Sequence, residues 1–169
     1  SYTDSLGHVW TFTYNDARRL VKTVAPLGDT ASFTYDAAGN ATETEYSNGT
    51  GPVTFWAQTQ FDELSRLLKT IGAQGQQWAY THDVEDNLTT ETDPQSKVDT
   101  YGFDALNRVT SVVDRETYTT ALAYDAHDRE TSFTDPRSIA TTFAYNGFGE
   151  TISEVSADRG TTGYSYDQR

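Results

Sequence analysis

The amino-acid sequence predicts an all-β protein. The expected architecture is an array of about eight 21-residue units, each with two short antiparallel strands, joined into one continuous, twisted or curved β-sheet strip. Three observations predict this class: an aromatic-acid pair recurs at a fixed step, turn-forming residues recur between the pairs, and large and small side chains alternate in the intervening segments. A helix of useful length is not expected anywhere in the chain.

The repeat is marked by an aromatic residue followed by Asp or Asn. Successive markers lie 21 residues apart, except for one step of 26 residues. Self-similarity at a fixed period of this size is typical of repeat architectures. The marker pairs and their equivalents are Tyr14-Asn15, Tyr35-Asp36, Phe61-Asp62, His82-Asp83, Phe103-Asp104, Tyr124-Asp125, Tyr145-Asn146 and Tyr166-Asp167.

Two turns are predicted in each repeat. In Asp93-Pro94-Gln95-Ser96, Asp accepts a local hydrogen bond, Pro presets φ at the second position and a small residue closes a type I turn. A second turn opens with the Asp or Asn of the marker, as in Asp36-Ala37-Ala38-Gly39. All four prolines lie nine residues before a marker aromatic, which makes them part of the repeat signature: Pro26, Pro52, Pro94 and Pro136.

The segments between turns have the alternation of a strand. Trp10, Phe12 and Tyr14 alternate with Thr11 and Thr13, and the same pattern precedes the later markers. Since successive side chains of a strand point to opposite faces, the large rings lie on one side and small or hydroxylated groups on the other. Each strand is long enough for roughly 20 Å of extended chain.

The domain organisation is predicted to be one array over residues 1–169. A chain of 169 residues is long enough for one domain with a buried core. Five extra residues lie around 46–51, where Asn48-Gly49 predicts a turn, and a lengthened loop is expected there. The chain contains no Met, and its first and last residues interrupt the repeat, so the sequence favours a fragment of a longer protein.

Composition excludes several classes of function. The net charge is −13, and an acidic chain repels nucleic-acid phosphates and anionic membranes. No stretch approaches the ~18 apolar residues of a membrane helix, so membrane insertion is not expected. The absence of cysteine rules out disulfides and thiol chemistry.

The sequence predicts no catalytic, metal or cofactor site. The recurrent Asp of the marker is explained by turn chemistry, although a calcium or sugar site is the alternative. The acidic run 83–86 lacks the spacing of a calcium loop. His8, His82 and His127 occupy different repeat positions, so they do not form a convergent zinc set. An enzymatic role is therefore not expected.

The markers and the residues after them resemble a known family. Phe61-Asp62-Glu63-Leu64-Ser65-Arg66-Leu67 and Phe103-Asp104-Ala105-Leu106-Asn107-Arg108-Val109 are similar to the YD repeats of the Rhs family of bacterial polymorphic toxins, toxin-complex proteins and teneurins. The resemblance implies a β-sheet shell that encloses a C-terminal toxin domain. It also implies a secreted, extracellular or cell-surface location. The implied partners are flanking repeats of the same full-length chain and the enclosed domain.

An extracellular adhesion or carbohydrate-binding module is the alternative function. A ladder of aromatic rings is able to stack sugar rings, and cell-wall-binding repeats are hairpins of similar length. Trp10, Trp56 and Trp78 do not recur in one column of the repeat, however, and the paired Trp-Tyr-Tyr signature of such modules is missing. The shell segment is therefore the leading hypothesis.

Overall fold

The computed structural model of the protein describes residues 1–49 and 51–167. These residues form sixteen β-strands and no helix, so the predicted all-β class is confirmed. The strands are β1 (Tyr2–Thr3), β2 (Val9–Tyr14), β3 (Leu20–Val24), β4 (Thr30–Tyr35), β5 (Ala41–Ser47), β6 (Val53–Phe61), β7 (Leu67–Ile71), β8 (Gln77–His82), β9 (Leu88–Thr92), β10 (Val98–Phe103), β11 (Val109–Val113), β12 (Thr119–Tyr124), β13 (Glu130–Thr134), β14 (Ala140–Tyr145), β15 (Thr151–Ser156) and β16 (Gly160–Gly163).

The chain divides into two compact units, residues 1–81 and 82–169. Strands β1 to β7 and β8 up to Thr81 belong to the first unit, and His82 with β9 to β16 belongs to the second. Within each unit, consecutive strands pair antiparallel, so that sheet order equals chain order. Each 21-residue repeat thus supplies two antiparallel strands, as predicted, whereas one domain over the whole chain stays a prediction.

One hairpin connection recurs between the strands. In the turn after β6, the Ser65 amide donates to the Asp62 carbonyl at 3.0 Å, and the Asp62 amide donates to the Arg66 carbonyl at 3.0 Å. The fourth turn residue has the left-handed conformation, with φ 63° at Ser65. The turns opened by Asp36, Asp93 and Asp104 have the same two hydrogen bonds. The turns that the sequence predicts at both ends of the strands therefore form.

The register separates two faces in each unit. Tyr101 lies opposite Val112, and the flanking residues Thr100 and Gly102 point to the other side of the sheet. We call the side with the marker rings and the residues two positions before them the ring face; it includes Phe12, Phe33, Tyr80, Tyr101, Leu122 and Phe143. The opposite side is the hydroxyl face; it includes Thr11, Ser32, Thr100, Ala121 and Thr142.

The two kinds of turn are flanked by pairs on different faces. Phe103 and Val109, a pair on the ring face, flank the turn that follows a marker. Val113 and Thr119, a pair on the hydroxyl face, flank the next turn. A complete repeat contains one turn of each kind. After one repeat the chain therefore runs in the same direction as before, and its marker ring lies on the same face as the marker ring of the preceding repeat.

The expectation of a buried core is wrong. None of the described hydrophobic residues is buried. The buried residues in the described part of the chain are all polar: Asp93, Thr141 and Ser156. The physical reason is the layer count: within each unit the described strands contact only their sequence neighbours, so nothing packs on either face. Chain length sets how much surface a fold is able to bury, but a single layer leaves its faces open.

The five-residue insertion lengthens two strands, and the expected longer loop around 46–51 is wrong. Strand β5 has 7 residues and β6 has 9, against 5 in β3 and 6 in β4. The connection between Ser47 and Val53 is no longer than that between β3 and β4. The extension pairs Tyr46 with Phe55, whose ring centroids lie 5.7 Å apart. Thr50 lies outside the described residues.

Deletion of one complete repeat should preserve the fold. Removing residues 104–124 joins Phe103 to Asp125 and recreates a marker pair, so later rings stay on the ring face. Removing residues 104–113 joins Phe103 to the Asp114 turn and moves the later rings to the hydroxyl face. We expect the first deletion to keep the β-sheet circular dichroism and a cooperative melt, and the second to lose both. Equal tolerance of the two deletions would contradict the alternating turns.

Candidate functional site

The predicted signature residues collect at the strand ends. The marker residue is the last residue of its strand for Tyr14, Tyr35, Phe61, His82, Phe103, Tyr124 and Tyr145. The Asp or Asn that follows opens a turn. In each unit these turns lie side by side along the border of the sheet formed by the strand ends, and we call this border the YD edge. Tyr166-Asp167 differs because β16 ends at Gly163.

The prolines lie at the opposite edge of the sheet. Pro26, Pro94 and Pro136 are the second residues of turns opened by Ala25, Asp93 and Asp135. At that position the fixed φ of Pro suits the turn, and no backbone donor is required. Pro52 instead directly precedes β6.

The carboxylate of the YD edge holds its own turn together. One oxygen of Asp104, Oδ1, accepts from the backbone amides of Leu106 and Arg108 at 2.9 and 3.1 Å. The other oxygen, Oδ2, accepts from Arg108 Nε at 2.8 Å. Asp62 and Asp125 have the same three contacts with their own turns. The recurrent Asp therefore stabilises the hairpin, in line with its ability to mimic a backbone acceptor.

The residue four positions after the Asp or Asn of the marker connects one repeat to the next in most of the turns. We call this the linker position; it holds Arg19, Asn40, Arg66, Asn87, Arg108, Arg129 and Glu150. The Arg108 guanidinium donates to the Asp125 carbonyl at 3.0 Å and to Asp128 Oδ1 at 2.8 Å, both in the following turn. Hydrogen bonds from a charged donor are stronger than neutral ones. Arg19 and Arg129 reach the carbonyls of Asp36 and Asn146 in the same way.

The linker arginines also contact the next marker ring. The guanidinium carbon lies 4.7 Å from the Tyr124 ring centroid for Arg108 and 4.6 Å from that of Tyr145 for Arg129. For Arg19 over Tyr35 the distance is 5.7 Å. These separations are those of cation–π contacts. One guanidinium therefore touches the carboxylate of its own turn, the backbone of the next turn and the next ring.

The hydroxyl of the marker tyrosine adds a hydrogen bond to the backbone of the preceding strand. The Tyr35 hydroxyl donates to the Leu20 carbonyl at 2.7 Å, and the Tyr145 hydroxyl donates to the Glu130 carbonyl at 2.6 Å. Each acceptor is the first residue of the preceding strand. Tyr166, although outside a strand, makes the equivalent bond to the Thr151 carbonyl at 2.8 Å. A hydroxyl at the marker position therefore has a structural use that Phe lacks.

Hydrogen bonds at the YD edge shift the carboxyl groups toward the charged form. The side-chain hydrogen bond from Arg129 lowers the pKa of Asp125 from 3.8 to about 2. The largest cause that lowers the pKa of Asp104 is the hydrogen bond from the Arg108 side chain, and for the pKa of Asp36 it is the hydrogen bond from the Asn40 side chain. A donor to the ionised carboxylate favours that form and so lowers the pKa.

The histidines do not come together. His8 Nδ1 lies 2.8 Å from Asp4 Oδ2 within a turn. His82 takes the place of a marker ring, is half-buried, and its Nδ1 has no hydrogen-bond partner. His127 is an exposed turn residue. In the part of the chain that the structure describes, no group of three or more His, Asp or Glu residues is arranged to hold a metal ion.

A second charged cluster was not predicted from the sequence. Arg115 lies 2.7 Å from Glu91, 2.8 Å from Asp99 and 3.8 Å from Asp93, three carboxylates on other elements of the second unit. Its partners are separated from it by about one repeat in the sequence, and no local pattern identifies them. The linker position, in contrast, recurs visibly four residues after the marker Asp.

Residues 1–49 and 51–167 contain no helix long and apolar enough to cross a membrane.

Comparison with protein families identifies the repeat. A sequence model of the RHS Repeat family matches residues 1–30, 61–98, 83–120, 103–139 and 124–161. These matches overlap and together cover more than half of the chain. A search of curated protein sequences finds no match.

Solved structures with the same fold come from toxin complexes. A crystal structure of TcdB2-TccC3-Cdc42 matches at 14% identity with a TM-score of 0.65, over 90% of this chain and 9% of that chain. A Photorhabdus luminescens Tc holotoxin pore with a TccC3 mutation matches at 15% identity with a TM-score of 0.66, over 91% and 9%. A crystal structure of TcdB2-TccC3 matches at 13% identity with a TM-score of 0.66, over 90% and 10%. The chain thus spans about a tenth of the chains it matches.

The marker hydroxyl should contribute measurably to stability. Tyr145→Phe keeps the ring under Arg129 but removes the 2.6 Å hydrogen bond to the Glu130 carbonyl. We expect the free energy of unfolding to fall by roughly 0.5–1.5 kcal/mol, the usual net value of one hydrogen bond. Urea unfolding measures it, with Tyr118→Phe as the control because Tyr118 is 57% exposed. If both substitutions changed the free energy of unfolding equally, the hydrogen bond of the marker hydroxyl would not stabilise the fold.

Acid should destabilise the YD edge. Because the pKa of Asp125 is about 2 in the folded chain and 3.8 ordinarily, its ionisation stabilises the folded state above the higher value. That contribution disappears as the pH falls through the lower value. Asp125→Asn should therefore lower the Tm at neutral pH and show a shallower loss of Tm between the two pKa values. Circular dichroism melts of both chains across this pH range measure the Tm. Parallel curves of Tm against pH for the variant and the original chain would show that ionisation of Asp125 does not stabilise the folded state.

Proposed function

Because the chain belongs to the RHS repeat family, we propose that it forms part of a shell wall that encloses a toxin domain of the same full-length protein. The family match and the repeat fold make it a structural segment of RHS repeats. Its partners in this proposal are flanking repeats and the enclosed domain, and its location is that of a secreted, delivered toxin. Its role in the proposal is structural, with no catalytic step.

The uncovered ring face carries this proposal. Trp10 is 38% exposed, Phe55 45% and Tyr14 59%, and the remaining marker rings are mostly half-buried between neighbouring strands. Large exposed apolar surfaces on folded proteins mark places where another surface binds. A wall that faces a cargo domain would use such a face as its lining.

The repeat architecture also suits a wall. Each repeat contributes the same two strands and the same turns, so the sheet grows by addition of repeats without a new core. Stability in such proteins is approximately the sum of the repeats and their nearest-neighbour contacts. Open strand edges bind further strands readily, which supports flanking repeats as partners.

Carbohydrate binding is the competing function, and the tryptophans weigh against it. Trp10 and Trp78 lie on the ring face of the first unit. Trp56 lies opposite Glu45 on the hydroxyl face. Rings on opposite faces do not form one stacking platform for a glycan. The shell segment therefore explains the aromatic pattern better than a sugar-binding module does.

Cysteine labelling tests which face meets the cargo. The chain has no cysteine, so single thiols can be placed on either face of β6. Phe55 lies on the ring face and Thr54 on the hydroxyl face, and both residues are exposed. In the full-length protein, we expect Phe55→Cys to be protected from a maleimide and Thr54→Cys to react, because the cargo covers only the ring face. The labelled fraction at each site is read by mass spectrometry.

The isolated 169-residue chain is the control for this labelling. Both cysteines should react there at similar rates, since no cargo is present. Equal labelling in the full-length protein, or protection of Thr54→Cys alone, would contradict a cargo on the ring face. Dose-dependent binding of the isolated chain on a glycan array would favour the carbohydrate function instead.

A further inference from the structure

One carboxylate on the ring face of the second unit departs from the repeat. The strand that follows each turn of the YD edge begins with a residue that is uncharged in every repeat but one: Leu20, Ala41, Leu67, Leu88, Val109 and Thr151. In β13 this first residue is Glu130, which lies opposite the marker Tyr124. A charged residue therefore stands at a repeat position that is otherwise uncharged.

The Glu130 carboxylate is half-buried, and it has no ion pair or hydrogen bond with any side chain or amide of residues 1–49 and 51–167. Charged side chains lose hydration when they are buried, and for that reason they are usually paired. Arg129, its neighbour in the sequence, donates to Asp125 and to the Asn146 carbonyl instead. The carboxylate is therefore available to a cation from outside the chain.

Glu130 lines a groove on the ring face with a volume of about 470 Å³. Four aromatic side chains also line it: Phe143, Tyr145, Tyr164 and Tyr166. Arg129 already stacks on Tyr145, whereas Tyr164 and Tyr166 are 43% and 48% exposed. The face of an aromatic ring attracts cations. The groove thus combines accessible rings with an unpaired negative charge.

The preceding repeat has a different lining at the same place. Val109 and Phe133 stand 21 residues before Glu130 and Glu154, the two carboxylates of the groove. Two apolar side chains of one repeat are thus replaced by two acidic ones in the next. Glu154 is paired with Arg159 at 3.0 Å. Glu130 is therefore the carboxylate of the groove that is open to a ligand.

The groove has few free hydrogen-bond acceptors for an incoming cation. The carbonyls of Glu130 and Thr151 already accept from the hydroxyls of Tyr145 and Tyr166. A primary ammonium group carries three donors, and each of them needs an acceptor in place of water. A quaternary ammonium group donates no hydrogen bond, and aromatic sites in proteins recognise it through their ring faces. The lining therefore suits a quaternary ammonium group better than a primary one.

We propose that the Glu130 groove binds the trimethylammonium group of a choline-type ligand, which is either a soluble choline compound or a phosphatidylcholine headgroup. The cation lies against the rings of Tyr164 and Tyr166, and Glu130 supplies the opposite charge. The site is independent of the proposed shell function, because its binding is measured on the 169-residue chain without a cargo domain.

The first test is a titration of the 169-residue chain with choline, followed by ¹⁵N-¹H NMR. We expect saturable shifts of the amides of residues 130, 143 and 164–166. The neutral alcohol 3,3-dimethyl-1-butanol has the shape of choline without its charge, and it should bind about tenfold more weakly. Ethanolamine should bind about fivefold more weakly than choline, because donors left without acceptors oppose binding.

Two variants test the residues that hold the cation. Glu130→Gln keeps the shape of the side chain but removes its charge, so choline should bind roughly two- to fivefold more weakly. Glu63→Gln makes the same change of charge at an exposed turn residue of the first unit, and it should leave binding unaltered. Tyr164 lies outside the strands, so Tyr164→Leu removes one ring without changing a strand. It should weaken binding about threefold, the effect of one cation–π contact.

Vesicles of phosphatidylcholine distinguish the two sources of the ligand. Sedimentation of the chain with the vesicles, reversed by free choline, assigns the groove to the headgroup, and choline binding without sedimentation assigns it to a soluble compound. Shifts that do not saturate, equal binding of the neutral alcohol, or binding unchanged in both Glu130→Gln and Tyr164→Leu would overturn the proposal. Equal binding of ethanolamine would overturn the preference for a quaternary ammonium group.

Discussion

The rest of the structure depends on the Asp-opened hairpin turn and its link to the next repeat. One carboxylate holds two backbone amides of its own turn and the linker side chain. The linker arginine then holds the following turn and stacks on the following ring. A sheet whose described residues bury no hydrophobic side chain has little core to stabilise it. Its stability must come from contacts between neighbouring strands, and these links are the most regular of them.

This arrangement explains why the faces remain available for binding. Most small domains use their apolar side chains to pack a second layer against the first. Here the rings contact neighbouring strands along one face and remain half-exposed, while the polar links at the YD edge hold the turns. Each unit of this RHS repeat segment is thus able to present aromatic side chains on one face without losing its register.

The sequence predicts local features of this fold well and long-range features poorly. Turns at Asp36, Asp93 and Asp104 were predictable because their hydrogen bonds join residues two to four positions apart. The faces were predictable because strand periodicity is local as well. The buried core was predicted wrongly because length contains no information on the number of layers. The insertion was also misplaced, because Asn48-Gly49 indicates a turn and does not show that the extra residues pair in β5 and β6.

The links within the candidate site depended on geometry that only the structure supplies. The Tyr145 hydroxyl and its acceptor at Glu130 are fifteen residues apart, and Arg115 gathers carboxylates from two other strands and a turn. Both contacts follow from strand register, which the sequence indicates only as a repeated period. The recurrence of arginine at the linker position was visible, but its contacts with the next turn and the next ring were not.

Amide hydrogen exchange measures the central claim most directly. The amide of Arg108 donates to Oδ1 of Asp104. Arg108→Gln keeps this backbone donor and removes the guanidinium that links the turn to the next repeat and the next ring. After correction for intrinsic rates, the account predicts slower exchange of the amide at position 108 in the original chain than in the variant. Equal exchange in the two chains, or slower exchange in the variant, would show that the links do not hold the sheet together.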